Sequence, residues 1–437
     1  MRQRARIATL AQTVRIYSVL DALVELAHDH TRQSDARARI YMGGGSAVAR
    51  FVVHENAVAG PSTHAVVIAV GCYPHLLGGV PPVCDDNEGL GQLTSPPVSG
   101  RAFADWLIQH FNNPGKPLAT VALLISEELN AIRGETSRYL HPSTGASIEL
   151  ERASIENIAT AVAEWKIRGD ANDQNMTLFY FCGHGIAQGS DAALLAEDYG
   201  ANNQNALDGA IDFRRLHLGM NGCSASQQCY FVDACRATSD MLLENRDYLG
   251  RPLVQIRKDA RRNKPLRQAP VFYASLAGAL AYARPKRPSV FTEALLKSFN
   301  GAGSDDEDGD WRVSTSRLLD ALDYFMRREF EDGGKQVQVP ATGDQSKVQI
   351  HYLQQPKIPV EVSCKPDNAT ARAHLACWIS GNAHEGRPPT AEKRWRLELP
   401  PGEYEFKATF PGEEYREVSK TNYVRPAYRV VELEVRK

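Results

Sequence analysis

Two stretches decide the fold: Met176-Thr177-Leu178-Phe179-Tyr180-Phe181-Cys182-Gly183-His184-Gly185 and Cys229-Tyr230-Phe231-Val232-Asp233-Ala234-Cys235-Arg236. Each begins as a continuous apolar run of strand length and ends in reactive side chains. A continuous run, as opposed to an alternating one, marks a strand buried on both faces, as in parallel sheets covered by helices. Working outward, residues 65–70, 121–125 and 271–274 read the same way. Helix-period segments fall between them, near 100–111, 154–165, 213–218, 290–299 and 316–330. Strands alternating with helices predict an α/β domain over 61–355, with a mostly parallel sheet flanked by helices.

The ends of the chain differ from this middle. Ile7, Leu10, Val14, Tyr17, Leu20 and Val24 recur at helical spacing, so residues 1–60 are expected to hold a helical extension, followed by a flexible link at Gly43-Gly44-Gly45. From 356 to 437 the helical period vanishes. Short strands are expected near 360–363, 375–379, 394–399, 404–409 and 430–435, with a turn at Pro400-Pro401-Gly402-Glu403-Tyr404. That pattern predicts a C-terminal all-β sandwich-like domain.

Composition narrows the class. At 437 residues and 43% hydrophobic content the chain can bury substantial cores without stapling. A formal net charge of −2 gives no overall field toward nucleic acid or anionic lipid, so neither is an expected partner. No apolar run reaches the roughly 20 residues that span a bilayer. No secretory pattern opens the sequence, and the eight cysteines lack disulfide-scaffold density, so a cytoplasmic setting is expected.

In open parallel sheets, function gathers at the carboxyl ends of the strands. There the two stretches present His184 and Cys235. A thiol with pKa about 8.5 is mostly protonated at neutral pH, and a neighbouring imidazole supplies the base that thiol acyl transfer requires. The same imidazole can then protonate the leaving amine. Gly185 lets a substrate backbone come close, and the amides of Gly185 and Cys235 are the expected oxyanion donors.

The sequence here resembles the caspase and metacaspase family. Asp233-Ala234-Cys235 stands where caspases carry their nucleophile motif, and His184 lies 51 residues upstream. Gly71-Cys72-Tyr73, Asp191-Ala192-Ala193-Leu194-Leu195, Phe272-Tyr273-Ala274-Ser275 and Phe291-Thr292-Glu293-Ala294-Leu295-Leu296 follow the order of the family's catalytic domain. The resemblance covers roughly residues 64–330. It implies a cysteine endopeptidase acting on protein or peptide substrates, with a large-subunit-like part (61–236), a linker (237–268) and a small-subunit-like part (269–355). It also implies a signal-activated effector in a bacterial defence or cell-death pathway, working as a monomer or homodimer. The C-terminal domain is then the expected seat of a small-molecule or protein activator.

Family members that cut after aspartate carry glutamine two positions before the cysteine; metacaspases, which cut after arginine or lysine, carry aspartate. Asp233 therefore implies a preference for arginine, which a carboxylate binds in bidentate fashion. Cys182 and Ser275 are the expected neighbours in substrate binding. Cys182 replaces the serine of metacaspases, and Val98-Ser99-Gly100-Arg101 replaces their Asn-Asp pair, so Asp85, Asp86 and Asp105 are candidates for a second pocket acid. In an arginine-directed enzyme the linker is a potential self-cleavage segment, at Arg257, Arg261, Arg262 or Arg267.

Other readings compete. A caspase fold that only binds partners, or a cysteine amidase acting on small molecules, would use the same elements. His217, Cys223, Cys229 and Cys235 are zinc-ligand types, but Cys229 and Cys235 fall at opposite ends of one strand, about 20 Å apart at roughly 3.3 Å per residue. No metal is therefore expected there. The acidic run Asp305–Asp310 suggests calcium only weakly, because Arg317 holds the place of an EF-hand's last ligand. No cofactor is otherwise expected.

Overall fold

The computed structural model describes residues 50–80, 82–127, 136–188, 191–238, 248–257, 266–275, 285–306, 309–331, 339–344, 346–412 and 414–437. The expected N-terminal helix and glycine link lie outside these residues. Val52–Glu55, which the sequence reading left in the extension, is a strand (β1) of the main sheet. The others are β2 (Thr63–Val70), β3 (Leu118–Ser126), β4 (Met176–Gly183), β5 (Gln227–Ala234), β6 (Val271–Tyr273) and β7 (Ala341–Thr342). They run in the order β1-β3-β2-β4-β5-β6-β7. The five inner strands are parallel, and β1 and β7 pair antiparallel at the two edges.

Both faces of β2, β3 and β4 are buried, which is why their sequences run apolar without alternation. One face, including Val67, Ala69, Tyr180, Cys182 and Phe231, joins a core with α1 (Ser95–His110), α4 (Val290–Lys297) and α5 (Thr315–Glu331). On the other, Phe179 packs 6.2 Å from Trp165 of α2 (Ile155–Asp170) and 5.9 Å from Phe213 of α3 (Phe213–Gly219). Helix α1 begins five residues before its apolar periodicity, because Pro96 and Pro97 occupy its first turn, where a missing N–H costs nothing.

Beyond the carboxyl ends of β4 and β5 a small sheet forms from Gly185–Gln188, Asp191–Leu195, Ala210–Asp212 and Ala237–Thr238. Part of the linker is thereby folded: Ala237 pairs with Ile186, and Arg251 N–H donates to Ala210 O at 2.8 Å.

The C-terminal strands form two facing sheets around their own core, with Val360, Leu375, Leu399, Phe406 and Leu433 inside. Ile358–Lys365 lies between Trp395–Leu399 and Arg429–Glu434; His374–Ile379 and Gly402–Thr409 are flanked by Asn382–Arg387 and Val418–Val424. The last two of these were missed in the sequence, because Asn382–Arg387 is exposed and carries almost no apolar signal. Buried Glu361 ties the sandwich to α5: Arg328 reaches it at 2.9 Å, and Arg394 and Arg396 join from the neighbouring strand. Among the described residues, no helix is long and apolar enough to cross a membrane.

Candidate active site

Strands β4 and β5 are in register, with Cys182 opposite Asp233 and Gly183 opposite Ala234. The next residue on each strand is His184 and Cys235. Neighbouring strands lie about 4.8 Å apart, so the pairing brings these two residues to adjacent strand ends. Close packing then fixes them. A Cβ on Gly185 would lie 2.7 Å from Cys235 O, and one on Gly183 would lie 2.7 Å from the Tyr73 hydroxyl. Glycine is required at both positions for these approaches, and the same contact sets the two expected oxyanion residues side by side.

His184 is 7% exposed. Its Nε2 stands 2.7 Å from Gly91 O, and a carbonyl can only accept, so Nε2 carries the proton and Nδ1 keeps the lone pair. Tyr73 holds the residue from the other side: the His184 main-chain N–H donates to the Tyr73 hydroxyl at 2.7 Å, and the rings lie 4.8 Å apart. Burial lowers the imidazole's pKa, and the Gly91 carbonyl partly offsets this. Burial thus favours the neutral imidazole.

Asp233 is 5% exposed. Its Oδ2 receives the hydroxyls of Ser289 and, at 2.7 Å, Thr292. The Cys182 thiol is 3.3 Å away and the Tyr180 hydroxyl 3.4 Å. Burial raises the carboxyl's pKa above the ordinary range, while these donors pull it back. Cys182 stands behind the aspartate as a neutral donor, its thiol pushed well up by burial and by Asp233. Ser275, fully buried past the end of β6, donates to Ala234 O at 3.5 Å, one residue before Cys235.

None of the candidates for a second acid shares a hydrogen bond with the donors around Asp233 among the described residues. Asp85 and Asp86 lie exposed in the loop after β2. Asp105 accepts the Tyr139 hydroxyl at 2.7 Å. It lies six residues along α1 from Ser99, about 120° around the helix from it, and Ser99 accepts the Ser289 N–H. Among the linker arginines, Arg257 is exposed, whereas Arg261 and Arg262 lie outside the described residues. Arg267 is built into the fold, bonded to Gln228, Asn221 and the His217 carbonyl at 2.8–2.9 Å. The main chain that follows is paired as well, with Gln268 N–H donating to Ser226 O. A bond held this way is closed to a protease, so Arg267 leaves the cleavage set.

Sequence reasoning missed four parts of the site: the Gly91 carbonyl, the Tyr73 hydroxyl, Ser289 and Thr292. A main-chain carbonyl has no side-chain signal. Tyr73 and Thr292 did fall inside motifs that were singled out, but only tertiary packing shows what they touch.

Residues 133–348 match the family model for the caspase domain. The Uncharacterized protein y4kE of Sinorhizobium fredii is 28% identical over 242 residues, covering 52% of this chain and 66% of that protein, just under two thirds of its length. Among solved structures, Caspase-1 from Spodoptera frugiperda aligns at 13% identity and a TM-score of 0.37, covering 69% of this chain and 93% of that one. Protein GSU0716 from Geobacter sulfurreducens aligns at 12% identity and a TM-score of 0.37, covering 65% and 93%.

Proposed function

We propose that this chain, which matches the caspase-domain model over residues 133–348, is a cysteine endopeptidase cutting proteins after arginine, and secondarily after lysine. The observation that supports the proposal is the strand register, in which Cys182 faces Asp233 and Gly183 faces Ala234, so that His184 and Cys235 follow at adjacent strand ends. In the proposed reaction the Cys235 thiol gives its proton to His184 Nδ1 as sulfur attacks the scissile carbonyl. The amides of Gly185 and Cys235 hold the oxyanion. His184 then protonates the departing amine, and water, deprotonated by the same imidazole, hydrolyses the thioester.

Arginine specificity is supported by the carboxylate's attachments. Ser289, Thr292 and Cys182 donate to Oδ2, the Tyr180 hydroxyl lies 3.4 Å from the same oxygen, and among the described residues Oδ1 takes no hydrogen bond. One oxygen is anchored and the other is left for an incoming guanidinium. The bland reading, an aspartate that merely caps main-chain amides, fits less well, since every donor to Oδ2 is a side-chain hydroxyl or thiol. The proposal extends to self-cleavage at Arg257, Arg261 or Arg262, to gating through the C-terminal sandwich, and to an effector role in defence or cell death.

Fluorogenic peptides ending in Arg, Lys, Asp and Ala test the core of it, with wild type, Cys235→Ala and His184→Ala side by side. Arg peptides should be cut fastest, Lys peptides more slowly and Asp peptides not at all, with both variants inactive. Equal cleavage of all four would refute the arginine pocket. No peptide cleavage beside an alkylated Cys235 would indicate an amidase, and failure to alkylate Cys235 a binding scaffold.

A further inference from the structure

We infer that Ser289 and Thr292, at the start of α4, are positioning residues that anchor one oxygen of Asp233 and thereby set arginine recognition. The inference rests on the arginine reading for its functional consequence but not for its chemistry. Its basis is a chain of hydroxyl protons that can be followed one at a time.

Ser289 is the N-cap of α4, its Oγ accepting the Thr292 N–H at 2.9 Å. Its own proton goes to Asp233 Oδ2. Thr292 Oγ1 lies 2.7 Å from the same oxygen and donates to it. That uses the only proton Thr292 has, so its 2.6 Å contact with Tyr180 is one in which the tyrosine donates. The Cys182 thiol adds a third donor to Oδ2. Ser289, Thr292 and Cys182 thus direct their protons toward one oxygen while Tyr180 donates to the Thr292 hydroxyl behind them, an arrangement that favours the carboxylate form. The positive end of the α4 dipole lies beside it and acts in the same sense.

Three elements therefore define the orientation of the carboxylate. Strand β5 carries it, β4 supplies Cys182 and Tyr180 from one side, and α4 supplies Ser289 and Thr292 from the other. The helix belongs to the part of the chain beyond the linker. The specificity group in front of the linker is thus held by hydroxyls behind it, and separating the two parts would release it.

Thr292→Val keeps the side chain's shape and removes the donor; Thr292→Ser restores the hydroxyl. Two readouts keep the failures apart. In protein labelled with [γ-¹³C]aspartate and assigned with Asp233→Asn, the Asp233 carbon should titrate at higher pH in Thr292→Val and return toward wild type in Thr292→Ser. In the inactive Cys235→Ala background, a fluorescent Arg-ended peptide should bind the Val variant roughly ten- to a hundredfold more weakly, the range for losing one hydrogen bond to a charged group, and the Ser variant nearly normally. In active enzyme the loss should fall on KM and leave kcat unchanged. An unshifted Asp233 titration in Thr292→Val overturns the inference whatever the peptide does. Equal binding of Arg- and Ala-ended peptides by the parent protein overturns the arginine reading instead, with the titration still deciding the role of Thr292.

Discussion

His184 Nε2 and the carbonyl oxygen of Gly91 stand 2.7 Å apart, so a main-chain acceptor 93 residues away fixes which imidazole nitrogen carries the proton. A second side chain is not needed for this. The carbonyl cannot be mutated away, but it can be displaced, because a Cβ on Gly91 would lie 3.1 Å from Leu77 O. Gly91→Ala should lower kcat roughly 10- to 100-fold, the penalty of misplacing a catalytic group by up to an ångström. Single-turnover kinetics with an Arg-ended peptide checks it, and an unchanged kcat would show that the carbonyl does not orient the base.

Burial disfavours the charged imidazole, so its midpoint should lie below the ordinary value of about 6.5. Long-range ¹H–¹⁵N spectra of Cys235→Ala, assigned with His184→Gln, should show a neutral His184 with its proton on Nε2 throughout the neutral range. A midpoint above 6.5 would contradict the structure.

Gly185→Ala should abolish peptidase activity. The added methyl carbon would fall 2.7 Å from Cys235 O, so one of the two backbones must move, and with it a proposed oxyanion donor. Removing a single such donor costs about 100- to 1000-fold. Retained alkylation of Cys235, at a reduced rate, would show that the fold survives and that the loss is local.

Asp233 should impose a pH dependence on arginine recognition. Its carboxyl is raised by burial, and protonation removes the anion that a guanidinium needs. KM for Arg-ended peptides should therefore climb as pH falls, beginning above the pH at which an ordinary carboxyl, near 3.9, takes up its proton. Asp233→Asn should have a high KM at every pH and a flat profile. A rise that persists in the Asn variant would assign the titration to another group.

Intact-mass analysis will test the linker. Wild type should yield fragments ending at Arg257, Arg261 or Arg262, and Cys235→Ala none. Cleavage after Arg267 is not expected, since that side chain and the peptide beyond it are bonded into the fold.

The attachment of the sandwich has a clear weak point. Glu361 is 4% exposed and is shared by Arg328, Arg394 and Arg396. Glu361→Ala leaves the half-buried Arg328 without its counter-ion there and should destabilise the protein by about 3 kcal/mol, the scale of breaking a buried pair. Urea denaturation measures this, and a change under 1 kcal/mol would mean that water screens the cluster.

By itself the sequence determined the parallel sheet and the strand ends at which His184 and Cys235 stand. Apolar runs such as 177–181 and 229–232 are legible because burial on both faces suppresses polar residues, and that constraint is written locally. It also showed Asp233 two positions before Cys235, because strand order fixes such offsets. What only the tertiary structure decided is what surrounds those groups. The Gly91 carbonyl, the Tyr73 hydroxyl and the Ser289–Thr292 pair come from segments far apart in the chain, and no local pattern predicts that they meet. The edge strand at 52–55 was hidden for a related reason, since four residues carry too little periodicity to stand out until β3 pairs with them. Arg267 makes the same point in reverse: in sequence it resembles the other linker arginines, and only the partners that the fold brings to it remove it from their company.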